Sequence, residues 1–481
     1  MNTHKHKYAL LLAFIIVFFL GGCSEETPDS TGSNNTSEIS DSSTGGSFPD
    51  DLMSKEKDIP RHEDGRAIVT LSSFNISPEI ETAVVAFNQN NSEYYVQILT
   101  AERGTSATDY WEREMIELST GKGPDLFTKT LQSDFLAYVE KEIMEDLTPY
   151  IERDLTKEDY LECSLYAYAK DNKVYALESG FSISLLVGNK ELLGQQEGWT
   201  FTEMKEIMEA NPQLTVFQNS YNGAEAFFQN YLKYGNPCYT DYHTMRECLA
   251  FAIDYNKPLP AGELAIPGET VLVEQISLTN ALDWADYEAL YEQSLTPIGY
   301  VNTQQKGIFH NGFGWSMNSA SKQKEGAWAF LKYLLSEEYQ REYVQDFSPL
   351  KKLLEEQLAY YAQPVTYTYF DEELKETFTH TTGHSLTRTS NATKVTPAYV
   401  AEHGTSAILI DCMSAEQLDT IRQLIHNSRT DCFQRDAMAQ NIIYEETAYF
   451  FRGERSLDDV MHNIENRMEL YYAEKQHQPK E

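Results

Sequence analysis

The sequence predicts an α/β fold in which helices cover both faces of a parallel β-sheet. Between residues 67 and 127, short apolar runs typical of strands alternate with amphipathic stretches typical of helices. Strands and helices that alternate in this way form βαβ units, whose strands lie parallel in one sheet. In such sheets ligands bind beyond the carboxyl ends of the strands, so the loops after the predicted strands are the first candidates for a binding site.

The first unit has a clear order of signals. Residues 67–71 (Ala-Ile-Val-Thr-Leu) form an apolar run that predicts a strand, and a polar loop follows. Ser77, Pro78 and Glu79 then have the pattern of a helix start, with an N-cap, a proline in the first helical position and an acid in the first turn. Apolar residues continue at helical spacing as far as Phe87, so we expect a helix there.

Two further strands and a second helix follow. Residues 94–99 predict a strand, and Trp111 lies at helical spacing with the apolar residues after it, so we expect it in the core or on the domain surface. Residues 120–124 (Thr-Gly-Lys-Gly-Pro) break this helix. Residues 125–127 predict a third strand, and we expect Asp125 to cap the turn before it rather than to contact a ligand.

The N-terminus has the pattern of an exported lipoprotein. Basic residues at 4–7 precede 12 apolar residues at 9–20, and two glycines and Cys23 follow. The apolar run is shorter than the roughly 20 residues that span a membrane, and this order is that of a secretory signal peptide. Leu-Gly-Gly-Cys resembles a bacterial lipobox, which implies cleavage before Cys23 and a lipid on it. We therefore predict a signal peptide at 1–22, lipidation (palmitate) at Cys23 and a lipid-anchored position at the cell membrane, facing the outside. An ordinary signal peptide that contains a cysteine is the alternative.

The segment after Cys23 is polar. Residues 24–65 are rich in Ser, Thr, Asp, Glu and Gly, with almost no apolar residue before Phe48. Such a composition cannot bury enough surface to offset the entropy of ordering. We predict a lipid-anchored disordered tether at 23–65. The body that remains, at 66–481, is long enough for two domains with sizeable cores.

The charge of the chain restricts its partners. The sequence has 74 acidic and 38 basic residues, a formal net charge of −36. A surface this negative repels phosphate backbones and anionic lipid. We therefore expect no nucleic-acid partner.

The cysteines do not form an evident framework. Five of the six cysteines follow Cys23, so complete intramolecular pairing is impossible. Cys238 with Cys248, and Cys412 with Cys432, are near in sequence, but neither pairing is compelling, and no spacing is typical of a zinc site. We expect most of them to be buried as small apolar side chains.

No catalytic motif stands out. A glycoside hydrolase needs two carboxylates at a defined separation, and no pair can be singled out among 74 acids. The sequence has no GxSxG elbow, HExxH motif or Walker loop, and its histidines show no metal spacing. We predict that the protein is not an enzyme and carries no cofactor or metal.

Several motifs follow one another along nearly the whole body. They are STGKGPDLF (119–127), LTPY (147–150), DNKVYALE (171–178), LLVGNKELLG (185–194), GWTFTEM (198–204), IGYVNTQQKGIF (298–309), the segment 314–343 with its Ala-Trp-x-Phe-Leu helix, and a C-terminal amphipathic helix at 455–474. Their order resembles that of the family 1 extracellular solute-binding proteins of ABC transporters, and the last helix resembles a branch common in Gram-positive bacteria. Glu178 departs from the family pattern, in which proline is usual at this position.

The resemblance implies a periplasmic-binding-protein-like fold of type II, with two α/β lobes joined by a hinge that the chain crosses more than once. The first lobe would comprise 66–180 and 297–335, and the second 181–296 and 336–481. It also implies that a small solute, a sugar or oligosaccharide, binds in the cleft between the lobes and is delivered to the permease subunits of an ABC importer. We expect the receptor to be a monomer.

The candidate ligand-binding residues are aromatic and polar. Sugar sites combine aromatic side chains, which cover flat apolar faces, with polar side chains that bind hydroxyl groups. Phe313 and Trp315 lie in a segment rich in glycine and aromatics that we expect to be a loop, and Trp284 lies near an expected cleft loop; core packing is the alternative for the tryptophans. The other candidates follow predicted strands or lie at the hinge: Phe74, Asn75, Thr128, Thr130, Gln132, Ser179, Phe181 and Ser182.

The ligand itself stays open. The same fold could bind a peptide, a polyamine or an organophosphate, and an acidic cleft would favour a cation. A surface enzyme that acts on glycans, or an adhesion protein, is the alternative from a different class.

Overall fold

A computed structural model describes most of the body. It covers residues 60–101, 104–130, 135–194, 199–217, 223–232, 239–255, 257, 259–260, 265–299, 309–371, 376–382, 385–387, 407–409, 412–430 and 436–477. The predicted signal peptide, Cys23 and the tether up to residue 59 lie outside the described residues. None of the helices in these ranges combines the length and the apolar character that a membrane crossing requires.

Helices and strands alternate along the described chain. The strands are β1 (Ala67–Ser73), β2 (Tyr94–Thr100), β3 (Leu126–Thr130), β4 (Ala169–Lys170), β5 (Lys173–Val174), β6 (Phe181–Asn189), β7 (Val273–Leu278), β8 (Leu295–Pro297), β9 (Phe309–Met317), β10 (Val365–Asp371), β11 (Glu376–Thr382), β12 (Ser385–Thr387) and β13 (Ala407–Leu409). The helices are α1 (Pro78–Asn90), α2 (Ala107–Ser119), α3 (Phe135–Glu140), α4 (Thr148–Asp154), α5 (Glu162–Leu165), α6 (Lys190–Leu193), α7 (Phe201–Ala210), α8 (Gly223–Asn230), α9 (Tyr242–Tyr255), α10 (Leu282–Tyr291), α11 (Lys324–Leu334), α12 (Glu337–Tyr343), α13 (Lys351–Tyr361), α14 (Ala415–His426), α15 (Ala437–Phe451) and α16 (Leu457–His477).

The local signals at the start of the body are confirmed. Helix α1 begins where the sequence predicts it, because the Ser77 hydroxyl accepts a hydrogen bond from the backbone N–H of Ile80 and Pro78 takes the first helical position. The hydrogen bonds of the Asp125 side chain reach neighbouring segments rather than the turn before β3 that it was expected to cap. Its carboxylate accepts hydrogen bonds from the backbone N–H and the hydroxyl of Thr70 and from the hydroxyl of Ser321, each at 2.7–2.8 Å.

The main sheet of the described chain has seven strands. Their order is β2-β1-β3-β9-β6-β7, and β8 also pairs with β6. Strand β1 is parallel to β2 and β3, as the sequence predicts for these strands. The pairs that involve β6 and β9 are antiparallel, so the parallel prediction holds for only one half of the sheet.

Strand β9 joins two halves of this sheet. Residues 313–317 pair with β3, whereas residues 309–312 pair with β6. The segment that the sequence suggested to be a loop is therefore a strand. Its glycines suggested a turn, but they are required because neighbouring side chains approach the strand closely. A Cβ on Gly312 would lie 1.8 Å from Glu178 Oε2, and a Cβ on Gly314 would lie 3.1 Å from the Phe135 ring.

Helices cover both faces of each half. Consecutive residues of a strand point to opposite faces. In β3, Leu126 packs in one core with α1 and α11, and Phe127 packs in another with α3. In β6, Leu185 packs against α10, α13 and α14, whereas Leu186 packs against α7, α9 and α16. The protein thus consists of two α/β lobes, each with a sheet between two helical layers.

Three segments of the described chain cross between the lobes side by side. Residues 177–181 form the first crossing, residues 312–315 of β9 the second and residues 344–348 the third. Leu177 forms a β-bridge with Trp315, and Phe181 forms one with Phe347. We call these three segments the hinge.

The crossings bear on the predicted lobe limits. The second crossing lies after residue 297 because β9 begins within the sheet of the second lobe. The third lies after residue 335 because Tyr339 of α12 packs in the core of the first lobe. The folded body also begins earlier than residue 66, since Arg61 forms a β-bridge with Ala67 and His62 stacks on Tyr95.

The described cysteines are free. Cys163, Cys248 and Cys412 form no disulfide. Cys248 is buried in the core of the second lobe, and this burial raises the pKa of its thiol. Cys238 and Cys432 lie outside the described residues.

Candidate functional site

The cleft between the lobes is bordered by the ends of strands. In the first lobe, β3 ends at Thr130 opposite Phe313, next to the hinge, so the loops after β1 and β3 face the second lobe. In the second lobe, β7 ends at Leu278 opposite Ile183, near the start of β6. The loop from β7 to α10 therefore faces the first lobe, and this arrangement agrees with the expected position of ligand sites.

Three carboxylates at the hinge side of this cleft lie near enough for their charges to interact. Asp346 lies on the third crossing and retains contact with solvent. Neighbouring protein atoms partly desolvate its carboxyl group, which disfavours the charged form. The negative charges of Glu79 at the start of α1 and Asp283 at the start of α10 disfavour it further. Together they raise the pKa of the Asp346 carboxyl from 3.8 to about 6. Glu79 belongs to the first lobe, Asp283 to the second and Asp346 to the hinge. We call these three acids the acidic floor.

An exposed aromatic surface lies at the end of β1. The Phe74 ring packs against the rings of Tyr110, at 5.4 Å, and Trp111, at 6.1 Å between ring centroids. Trp111 is 48% exposed and Phe74 is half-buried, so both rings present part of their surface to solvent. We call Phe74 and Trp111 the aromatic rim. It adjoins the cleft because Phe74 lies in the short loop between β1 and α1, and the first turn of α1 carries Glu79 of the acidic floor.

A buried polar network supports the aromatic rim. Glu114 of α2 accepts hydrogen bonds from Ser72 Oγ at 2.8 Å, Tyr110 Oη at 3.3 Å and Tyr138 Oη at 3.2 Å. Burial and the negative charge of Glu114 raise the pKa of Tyr110, so its phenol remains a hydrogen-bond donor. The network fixes Tyr110 beneath Phe74, which limits the positions open to the rim.

A chain of hydroxyl groups connects the loops after β1 and β3. Thr128 Oγ1 donates to Ser73 Oγ at 3.2 Å, and Ser73 Oγ donates to the carbonyl oxygen of Asn75 at 2.8 Å. The Asn75 side chain is exposed. Of the other candidates on these loops, Thr130 is described in its backbone only, and Gln132 lies outside the described residues.

Both candidate tryptophans are buried. Trp315 and Trp284 are each 2% exposed, so neither indole offers a face to a ligand in this conformation. Trp315 packs edge-on against Phe330 in the core of the first lobe, and Trp284 packs in a core of the second. Both tryptophans thus pack in a core, which was the alternative to ligand binding. Their contact with a ligand stays a prediction. The Phe313 side chain lies outside the described residues.

The remaining candidates belong to the hinge. Ser179 lies on the first crossing and accepts a hydrogen bond from Trp315 Nε1 at 3.3 Å. Phe181 is buried and packs against Phe347 of the third crossing. Ser182 follows it in β6 and pairs with Asn311 of β9.

Sequence reasoning missed the position of Trp111 beside the cleft and the role of Glu114. The helical spacing of Trp111 suggested core packing or a surface position. Only its place near the start of α2, which follows the carboxyl end of β2, could have suggested the cleft. Within the described ranges, no group of three or more His, Cys, Asp or Glu side chains could hold a metal ion.

The arrangement of two lobes around a cleft has a counterpart in a known family. The family model of bacterial extracellular solute-binding proteins matches residues 82–251. Over this part of its length the chain is similar to the bacterial extracellular solute-binding proteins. The model describes extracellular binding proteins, in agreement with the prediction that the protein is not an enzyme. Among proteins with curated functions, none matches the sequence.

Solved structures of solute-binding proteins share the fold. The sugar-binding protein MalE from Xanthomonas citri has a TM-score of 0.51 at 14% identity, over 85% of this chain and 98% of that one. A family 1 extracellular solute-binding protein from Alicyclobacillus acidocaldarius has a TM-score of 0.50 at 11% identity, over 83% and 96% of the two chains. These matches confirm the predicted type II fold with two lobes.

Proposed function

We propose that this solute-binding protein is the lipid-anchored receptor of an ABC importer for a sugar or oligosaccharide. The solute binds between the two lobes, the lobes close on it, and the permease subunits accept it from the closed receptor. Lipidation at Cys23 and the segment after it hold a monomeric receptor at the outer face of the membrane.

The aromatic rim is the observation that carries this proposal. Phe74 and Trp111 give a partly exposed aromatic surface at the cleft, and the hydroxyl chain of Ser73 and Thr128 lies beside it. An aromatic face next to polar groups suits a sugar, whose apolar ring face is surrounded by hydroxyl groups. The name of the similar MalE structure, a sugar-binding protein, points to the same class of ligand.

The acidic floor argues against an anionic ligand and favours a cationic one. Glu79, Asp283 and Asp346 repel a phosphate or a carboxylate that enters the cleft. They would favour a cation such as a polyamine. A neutral sugar is compatible with them, because carboxylates accept hydrogen bonds from hydroxyl groups.

A ligand screen tests the proposal. The melting temperature of the purified body is measured with neutral mono- and oligosaccharides, with polyamines, with short peptides and with organophosphates. We expect a carbohydrate to raise it, since a ligand that binds only the folded state stabilises that state. Stabilisation by polyamines alone would replace the sugar by a cation, and turnover of a glycan would contradict the receptor function.

Substitution of the rim sharpens the test. We expect Trp111→Ala to lower the affinity for the carbohydrate found in the screen by about tenfold or more, because stacked aromatic contact is lost. Isothermal titration calorimetry measures this change. Ile116→Ala is the matched control, since Ile116 lies on the same helix, is 65% exposed and is outside the rim. Equal affinities of the two variants would remove the rim from the site.

A further inference from the structure

One buried amide side chain connects the first lobe to the hinge. Gln340 of α12 is 1% exposed. Its Nε2 donates to the carbonyl oxygen of Leu334, at 2.6 Å, and to that of Ser179, at 2.5 Å. Its Oε1 accepts a hydrogen bond from Ser348 Oγ at 2.8 Å. The side chain therefore uses both of its N–H groups and its carbonyl group inside the protein.

These partners belong to different parts of the hinge. Leu334 ends α11 in the first lobe, Ser179 lies on the first crossing and Ser348 on the third. Ser179 is also bonded to the second crossing, because its hydroxyl accepts from Trp315 Nε1. All three crossings are thus linked through Ser179 and Gln340.

The hinge is closely packed around these bonds. Gly180 directly follows Ser179, and a Cβ there would lie 2.8 Å from Cγ1 of Val344 on the third crossing. A rotation of one lobe against the other changes the backbone angles of the crossing segments. Such a change has to stretch, break or exchange the bonds of Gln340 to Ser179 and Ser348, whereas the bond to Leu334 stays within the first lobe.

We propose that Gln340 is a positioning residue that fixes the resting angle between the lobes. It holds two crossings in one relative position, and so sets the balance between open and closed lobes before any ligand binds. Ligand binding can shift this balance only by its differential affinity for the two states. The inference rests on the lobe closure of the proposed function, but not on the identity of the solute.

A nearby glutamine provides a matched control. Gln357 of α13 also makes two hydrogen bonds to the hinge, since its Nε2 donates to the Asp346 carbonyl oxygen at 2.9 Å and its Oε1 accepts from the Ser348 N–H at 3.2 Å. Both partners lie on the third crossing. Gln357→Ala therefore removes as many bonds to the hinge without separating one crossing from another.

The distance between the lobes is the measurement. Spin labels are placed at Ile116→Cys in the first lobe and Leu470→Cys in the second, both 65% exposed, in a body whose native cysteines are replaced by serine. Double electron–electron resonance without ligand then gives the distribution of distances. Circular dichroism shows which variants are folded.

We expect Gln340→Ala to shift the mean distance or broaden its distribution, and Gln357→Ala to leave it unchanged. If Gln340→Ala does not fold, Ser348→Ala takes its place, since it removes the bond to Gln340 Oε1 together with the bond that Ser348 Oγ accepts from the Leu350 N–H. Distributions of folded Gln340→Ala or Ser348→Ala that match the unsubstituted protein would overturn the proposal, as would an equal change in Gln357→Ala. Because no ligand is added, failure of the carbohydrate screen leaves this result unaffected.

Discussion

The hinge and the aromatic rim use the same kind of residue in opposite ways. At the hinge, the Trp315 ring is buried and its N–H donates to Ser179, so the indole is part of the packing. At the rim, Trp111 leaves about half of its surface exposed beside Phe74. The first arrangement stabilises the relation between strands, and the second leaves an aromatic face available to a ligand. Tryptophans in a binding protein therefore have to be assigned by exposure, not by the apparent flexibility of their segment.

The largest expected effect separates these two tryptophans by stability. Trp315→Ala should lower the free energy of unfolding by about 3–5 kcal/mol, because it leaves a cavity in the core of the first lobe. Trp111→Ala should lower it by only about 1 kcal/mol, since its side chain is half-exposed. Urea denaturation followed by circular dichroism measures both.

The comparison fails if the order is reversed. A Trp315→Ala variant that keeps its stability but no longer binds carbohydrate would return Trp315 to the cleft. A Trp111→Ala variant that unfolds would make the rim part of the core.

A smaller effect tests how tightly the hinge is packed. We expect Gly312→Ala to lower the free energy of unfolding by about 1–3 kcal/mol, because overpacking forces its neighbours to move. The neighbour is the Glu178 carboxylate, whose other oxygen accepts a hydrogen bond from Ser164 at 2.6 Å. A double-mutant cycle with Glu178→Ala measures the coupling, and the Gly312→Ala cost should shrink when the carboxylate is absent. Strict additivity would show that the two residues do not press on each other.

The smallest effect concerns the acidic floor. The pKa of Asp346 is about 6 in the folded protein and 3.8 without these surroundings, so between these values the folded state holds a proton that the unfolded chain has lost. The contribution of this group to stability is therefore complete below about pH 4 and is lost as the pH rises through about 6. Asp346→Asn should remove this loss, so its stability relative to the unsubstituted protein should be greater at pH 7 than at pH 4.

Denaturation of both proteins at pH 4, 5, 6 and 7 checks this prediction. Asp254→Asn is the control, since Asp254 is exposed on α9 and away from the hinge. A difference that is independent of pH would show that the folded protein does not raise the pKa of Asp346.

The sequence was sufficient where local chemistry decides the structure. Ser77 and Pro78 start α1 at the expected residue, and the apolar run at 67–71 lies within β1. The motifs that resembled a binding-protein family also led to the right fold. These features depend on residues that are neighbours in sequence, so their patterns can be interpreted without knowledge of the rest of the chain.

The structure of the hinge and of the aromatic rim could not be predicted from such local patterns. The register of β9 depends on pairing with β3 and β6, which are more than a hundred residues earlier. Gly312 and Gly314 therefore suggested a loop, although Glu178 and Phe135 require them in a strand. The exposure of Trp111 depends on how Phe74 and Tyr110 pack, and a helical pattern does not report which of its apolar residues a neighbour covers.

Strand β9 also determines when the protein can fold. The sheets of both lobes need it, since it lies between β3 and β6. A growing chain that ends before residue 317 lacks part of β9, so the sheet of neither lobe can be completed. The pairs of β9 with β3 and β6 join distant segments, and such contacts form slowly. Neither lobe can therefore fold alone while the rest of the chain is still being made, because both wait for β9. A chain terminated before residue 317 would remain unfolded and open to proteases.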